Sequence, residues 1–365
     1  MWKTYQHGGD IYNYPNFIDF SANINFLGAP FSVLDAARNA MERIGHYPQV
    51  GWGNLRQAIA ELEQIEPEQI ICANGAAEIF FSLTLAKKPK KALIFAPTFQ
   101  EYEQALRSVD CEIVYHYLCA ADKFEMQELP PELDHSIDMV FFCNPNNPTG
   151  VLTRRSMLKR LLQRCEQVGA VLVIDECFLD FTGRAEDYTM KDLLSQSGNL
   201  FVVKAFTKTF AIPGLRLGYG LSGNYDLLQQ IRSVTQPWNV SVPAQAAGIA
   251  AAREKDFLEI TARAVEQERQ FFLEQLSKVP SDENKLFFIE VYGYAANFIF
   301  FRSIPGLEQK FKENKILIRN CDNFPGLCEG WYRIAVRARQ ENERFVQVLY
   351  QIIQEIENKT DNCEI

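Results

Sequence analysis

Residues 206–220 read FTKTFAIPGLRLGYG, and Lys208 lies near the start of that stretch. LFVVKAF (200–206) before it and LRLGYGL (215–221) after it are apolar runs of strand length. Lys208 therefore falls in a connection just past a strand, where open α/β sheets carry their ligands. Two earlier stretches repeat this placement. VLVID (171–175) ends in Asp175, and DMVFFCN (138–144) runs into the polar loop NPNNPTG (144–150). A lysine can hold an aldehyde as a Schiff base. A carboxylate leaving a buried strand is costly unless it meets a positive partner; otherwise Asp175 would be a capping or salt-bridged turn residue.

Working outward, ALIFAP (92–97), EIVYHYL (112–118) and AVLVID (170–175) complete a series of strand-like runs. Helix-like stretches fall between them at 76–87, 99–108, 156–168 and 224–234. Such alternation predicts an α/β fold with a mainly parallel central sheet flanked by helices. At 365 residues the chain exceeds the usual size of one core. We expect an N-terminal arm over 1–25 and a large domain over 26–243, its first helix packing with the second domain. A smaller α+β domain is expected over 244–365, opening on one long charged helix at about 244–278.

Composition excludes several classes. The net charge is −9, which argues against general nucleic-acid or anionic-membrane binding. Nine cysteines are scattered, with no CxxC or Cys/His spacing for a metal. They read as small buried hydrophobes in a reducing cytoplasm. The segment MWKTYQHGGD has no apolar signal region, and no apolar run approaches the roughly 20 residues of a membrane span. A literal GxGxxG at Gly218, Gly220 and Gly223 lacks the acidic residue about 20 positions on that a dinucleotide site needs, so these are strand-end glycines.

NPNNPTG, Asp175 and Lys208, in that order and at those separations, resemble the fold-type I enzymes that use pyridoxal 5'-phosphate. The resemblance implies that Lys208 holds the cofactor, Asp175 keeps its pyridine nitrogen protonated, and Asn147 bonds the ring hydroxyl. NGAAE (74–78) ends a strand and opens a helix, so Gly75, Ala76 and Ala77 offer amides to a phosphate. By the same resemblance Thr207 and Arg216 contact that phosphate, and Phe99 in PTFQEY stacks on the ring. Tyr47, in HYP (46–48), would reach the neighbouring subunit's cofactor and make the enzyme a homodimer. Phe178 stands where many family members have a tyrosine that shares the ring hydroxyl.

HGG (7–9), DFSANIN (19–25), PWNV (237–240) and ILIRNCDNFPGLCEGWYRIAVR (316–337) narrow the resemblance to the threonine-phosphate decarboxylases. These are close cousins of the histidinol-phosphate aminotransferases. What this implies is decarboxylation of an O-phosphorylated amino acid, threonine phosphate or serine phosphate, for the aminopropanol phosphate linker of cobalamin. His7, Asn25, Asn147, Arg319 and Arg333 would then contact substrate. Arg337 reads instead as a surface or interdomain ion pair, since about 13 Å would separate it from Arg333 along a strand. The competing readings are an aminotransferase of the histidinol-phosphate type and, from another class, a non-catalytic regulator on the same fold. The regulator would be expected to carry a basic DNA-binding segment or to lack the lysine.

Overall fold

The computed structural model describes residues 7–361. Residues 1–6 of the arm, and Cys363 with the rest of 362–365, lie outside them. Among the described residues thirteen strands follow one another. They are Ile18–Asp19 (β1), Ile70–Ala73 (β2), Lys91–Ala96 (β3), Glu112–Tyr117 (β4), Met139–Cys143 (β5), Val171–Asp175 (β6) and Leu200–Ala205 (β7). Gly218–Ser222 (β8), Ile289–Gly293 (β9), Phe298–Ser303 (β10), Ile316–Leu317 (β11), Arg319–Asn320 (β12) and Trp331–Ala335 (β13) complete the set.

Seven strands form the central sheet in the order β2-β8-β7-β6-β5-β3-β4. Only β8 runs antiparallel to its neighbours, β2 and β7. Every residue of β5, β6 and β7 is buried, as strands covered by helices on both faces require. This is the mainly parallel, helix-flanked sheet that the alternation predicts. A second sheet, β12-β13-β10-β9, is antiparallel throughout. The segment β1 stays out of the central sheet and pairs in parallel with β11.

The buried side chains form two clusters. One surrounds the central sheet, and the other joins Phe20 and Phe272 to β10, β11, β13 and the helix Arg339–Asp361. The long helix expected over 244–278 is two helices, Val242–Ala251 and Lys255–Leu276. Glu254, with ψ 57°, breaks the ladder between them. The first helix buries Ala244, Ala247 and Ala251 in the cluster of the central sheet, so packing interrupts a pattern that looks continuous. The strand expected from residue 215 begins only at Gly218, because Pro213–Leu215 turns tightly and Arg216 takes φ 56°.

Gly218 belongs to β8, and a Cβ there would lie 2.6 Å from the Ala76 backbone nitrogen. It is glycine because β8 packs against the start of the helix Ala76–Lys87. The GxGxxG pattern is therefore a packing feature.

Candidate active site

Lys208 follows β7 within the helical turn Phe206–Thr209. Its carbonyl accepts from the Asn25 backbone N–H at 3.1 Å, tying the turn to the segment after β1. The amine faces a cavity of about 240 Å³ at the carboxyl ends of the central strands. Burial lowers its pKa to about 8, and the nearby positive charges of Arg333 and Arg216 push the same way. A free amine, the nucleophilic form, is thus accessible close to neutral pH.

Asp175 ends β6 and is buried. Tyr102 donates its hydroxyl to Oδ2 at 2.6 Å, and the Cys177 backbone N–H donates to Oδ1 at 2.9 Å. Burial raises the Asp175 pKa despite these bonds. A cationic ring nitrogen beside it would restore the ionised form, which is what a pyridinium offers. The loop after β5 is pinned by the Asn144 N–H to the Asp175 carbonyl (2.8 Å). Asn146 accepts from Thr98 (2.8 Å) and donates to the Pro97 carbonyl (2.8 Å). Those bonds leave Asn147 presented to the cavity. Phe99 lines one wall, edge-on to Tyr102 at 5.6 Å. Phe178 lines another and packs edge-on against Phe298, so this wall carries no hydroxyl.

A cradle for phosphate lies at the start of the helix Ala76–Lys87. Gly75 precedes it at φ 84°, and no side chain caps the first turn. The Ala76 and Ala77 amides are left at the positive helix end, where an anion is favoured. A Cβ on Gly75 would lie 2.5 Å from Arg216 Nη2. The glycine therefore lets Arg216 close over the cradle, with Thr207 beside it in the cavity wall. Uncapped amides, a cation, a lysine and a buried carboxylate fit pyridoxal phosphate group by group.

Across the cavity stand two buried arginines from the second sheet. Arg333 Nη2 donates to the Ser21 carbonyl at 2.8 Å and Nη1 to Asn147 Oδ1. Asn23, its amide oxygen turned inward, accepts from Arg333 Nε at 3.2 Å. Burial lowers the Arg333 pKa to about 10, so the group stays cationic near neutrality. Arg319 donates to the Asn320 carbonyl (2.6 Å) and Asn323 Oδ1 (2.9 Å), and its guanidinium lies over the Phe324 ring at 5.1 Å. His7 enters from the arm, which the Gly9 N–H anchors to Ser21 Oγ at 2.8 Å.

Three predicted residues do not line the cavity of this chain. Asn25 is buried, but its amide donates to the Thr209 carbonyl (2.7 Å) and Thr261 Oγ1 (2.9 Å), so it braces the lysine turn and does not line the cavity. Tyr47 is 77% exposed and stacks on Trp238 at 4.3 Å. Gly75 shapes the cradle without lining the cavity. Arg337 lies beyond the end of β13, paired with Glu341 at 2.8 Å. Sequence reasoning missed Tyr102, Glu101, Asn23 and Ser21, all within quoted motifs. In PTFQEY the signal for Tyr102 was its spacing, one helical turn past Phe99.

A larger cleft, about 710 Å³, borders Glu63, Asp180 and Lys204. Its buried charges close on one another: Lys204 lies 2.7 Å from Glu63 and 3.4 Å from Asp180. Burial opposes ionisation of Glu63, yet Lys204 and Lys191 outweigh it and hold the acid near 2. Among the described residues no cluster of His, Cys, Asp or Glu would hold a metal, and no helix is long and apolar enough to cross a membrane.

Sheet, cradle, lysine and carboxylate define a fold-type I enzyme whose cofactor is pyridoxal 5'-phosphate. Residues 15–349 match the model of the aminotransferase class I and II family, and the chain belongs to that family. It is 33% identical to the threonine-phosphate decarboxylase of Salmonella typhimurium over 92% of this chain and 91% of that one. The structure resembles L-threonine-O-3-phosphate decarboxylase from Porphyromonas gingivalis with a TM-score of 0.81 (26% identity, covering 92% and 99%). It resembles histidinol-phosphate aminotransferase from Clostridium acetobutylicum equally, at 0.82 (29%, covering 93% and 99%).

Proposed function

We propose that the protein decarboxylates an O-phosphorylated amino acid, L-threonine O-3-phosphate or its serine analogue. The product would be aminopropanol phosphate or its lower homologue, the linker chemistry of cobalamin, made in the cytoplasm by a homodimer. One observation carries this reading: Arg319 and Arg333 are both buried in the wall of the lysine cavity, so it has a cation for each of two anions. The 33% identical decarboxylase supports it.

When bound, pyridoxal phosphate supplies an aldehyde that condenses with amines and a ring that draws electrons from the substrate's Cα. The protein's own groups decide what leaves Cα. Which bond at Cα is activated would depend on how those groups hold the substrate's two anions. In our reading Arg319, with His7, would take the phosphate, while Arg333 and Asn147 would meet the carboxylate and orient it as the group that leaves. Loss of CO₂ leaves an electron pair on Cα, and Lys208 returns one proton there. Each charge-assisted grip contributes roughly 1.5–3 kcal/mol.

The similarity to histidinol-phosphate aminotransferase supports a second reading, transfer of an amino group from a phosphorylated amine. Incubation with O-phosphothreonine, without any oxoacid, separates the two. Release of CO₂ is expected. No CO₂, together with amino transfer to 2-oxoglutarate, would overturn the assignment. Parallel rates on O-phosphoserine test the pocket around the methyl group, worth about 1–3 kcal/mol of discrimination.

A further inference from the structure

Two carboxyl groups line the cavity, Asp175 and Glu101. Asp175 would have its place against the ring nitrogen, whereas Glu101 has no role in holding the cofactor or the carboxylate. Glu101 opens the short helix Glu101–Arg107, and its side chain is 14% exposed. Among the described residues its Oε2 is buried with no hydrogen-bond partner. Its Oε1 lies 3.6 Å from His7 Nδ1, too far for a hydrogen bond.

The charged groups around Glu101 come from four elements: His7 on the arm, Asp175 at the end of β6, Lys208 after β7 and Arg319 on β12. Burial raises the Glu101 carboxyl to about 7, the pull of Lys208 and Arg319 notwithstanding. Burial, Arg319 and Lys208 lower the pKa of His7, so His7 is not the cation that would hold Glu101 ionised. A carboxylate beside Arg319 would repel a phosphate dianion. A carboxylic acid in the same place would donate a hydrogen bond to it, shorter and stronger for the charge on the acceptor.

We propose that Glu101 is a specificity-determining residue for the substrate's phosphate, which it binds as the protonated acid, taking one proton from solvent as the dianion enters. The inference rests on the reading of the substrate as a phosphomonoester. No bond of the substrate changes in this step; the proton ends on the Glu101 carboxyl.

The test uses the cofactor-loaded enzyme and O-phosphoethanolamine, which keeps the amine and phosphate but has no carboxylate to lose. Calorimetric titration at pH 8 in two buffers of different ionisation heat counts protons. The wild-type enzyme takes up close to one proton more than Glu101→Gln. Its affinity falls about 15-fold from pH 7 to 8.5, as a group titrating near 7 requires, and Glu101→Gln, which keeps a donor, loses that fall. With O-phosphothreonine the same slope appears in KM and not in kcat. Equal proton uptake and equal pH slopes in the two proteins would overturn the proposal. Should the Gln variant fail to fold, Glu101→Asp serves: it retains the uptake with weaker binding, and its loss there counts against the proposal. Failure of the wild type to release CO₂ would sink the decarboxylase reading and leave this measurement intact.

Discussion

Arg319 and Arg333 are direct cross-strand partners, paired between β12 and β13. Like charges set opposite each other on antiparallel strands repel. Here Asn320, Asn323, Asn147 and the Ser21 carbonyl receive their N–H groups. A ligand with two negative groups would relieve the remaining repulsion. We expect Arg319→Ala and Arg333→Ala each to lower kcat/KM about 10- to 100-fold, the worth of one charge-assisted contact. Arg337→Ala, whose half-buried partner Glu341 does not line the cavity, should change kcat/KM less than about threefold. Steady-state kinetics on O-phosphothreonine check all three.

Lys208 has a depressed pKa, so its contribution to stability has a definite sign. The unfolded chain binds a proton to this amine up to about 10.4. The native apoenzyme releases it near 8. Below pH 8 the buried ammonium costs its full penalty, and stability rises between pH 8 and 10.4 as the native amine loses its proton. Lys208→Met should therefore stabilise the apoenzyme by about 2–3 kcal/mol at pH 7, with the gain fading by pH 10. The same variant should lack the absorption band of lysine-bound cofactor. Urea unfolding and absorbance spectra measure the two effects, and a band that persists would show the lysine to be misassigned.

Tyr102→Phe removes the donor to Asp175 Oδ2 and leaves that oxygen buried without it. The apoenzyme should lose about 1–3 kcal/mol of stability. The Asp175 pKa, already raised by burial, should climb further, and cofactor affinity should fall with rising proton occupancy of the acid. Cofactor dissociation followed by absorbance across pH 6–8 tests this. A variant with unchanged affinity would show that the tyrosine serves the core alone.

Gly75→Ala places a methyl group against Arg216 and asks alanine to hold φ 84°. Strain of this kind costs on the order of 1–3 kcal/mol. The loss should appear in cofactor affinity, about 5- to 150-fold by the usual conversion of about 1.4 kcal/mol per decade. Fluorescence titration of the apoenzyme with pyridoxal phosphate gives the number.

Tyr47 and Trp238 stack on each other at the surface, with Phe31, Met41, Ile44 and Val50 also exposed. A second copy of the chain would cover this apolar patch. Sedimentation should give twice the 41.8 kDa chain mass. Tyr47→Ala should weaken cofactor binding with the dimer intact; a monomer with full affinity would refute the role.

The local chemistry was legible in the chain because it travels with short motifs on regular elements. Apolar runs with both faces buried announce parallel strands, and Asp175, the loop bearing Asn147, and Lys208 fall at their carboxyl ends for that reason. Period and spacing sufficed there. What they cannot express is pairing between segments far apart. Asn25 and Asn23 look equivalent in DFSANIN, yet one braces Thr209 and Thr261 while the other faces Arg333. Tyr102 meets Asp175 across 73 positions, and Arg333 meets Ser21 across 312. The sequence by itself determined the cofactor class, through residues whose roles follow from their own strand ends. The tertiary structure alone decided that Arg319 faces Arg333 and that Glu101 shares their cavity, because burial and cross-strand register are properties of packed elements.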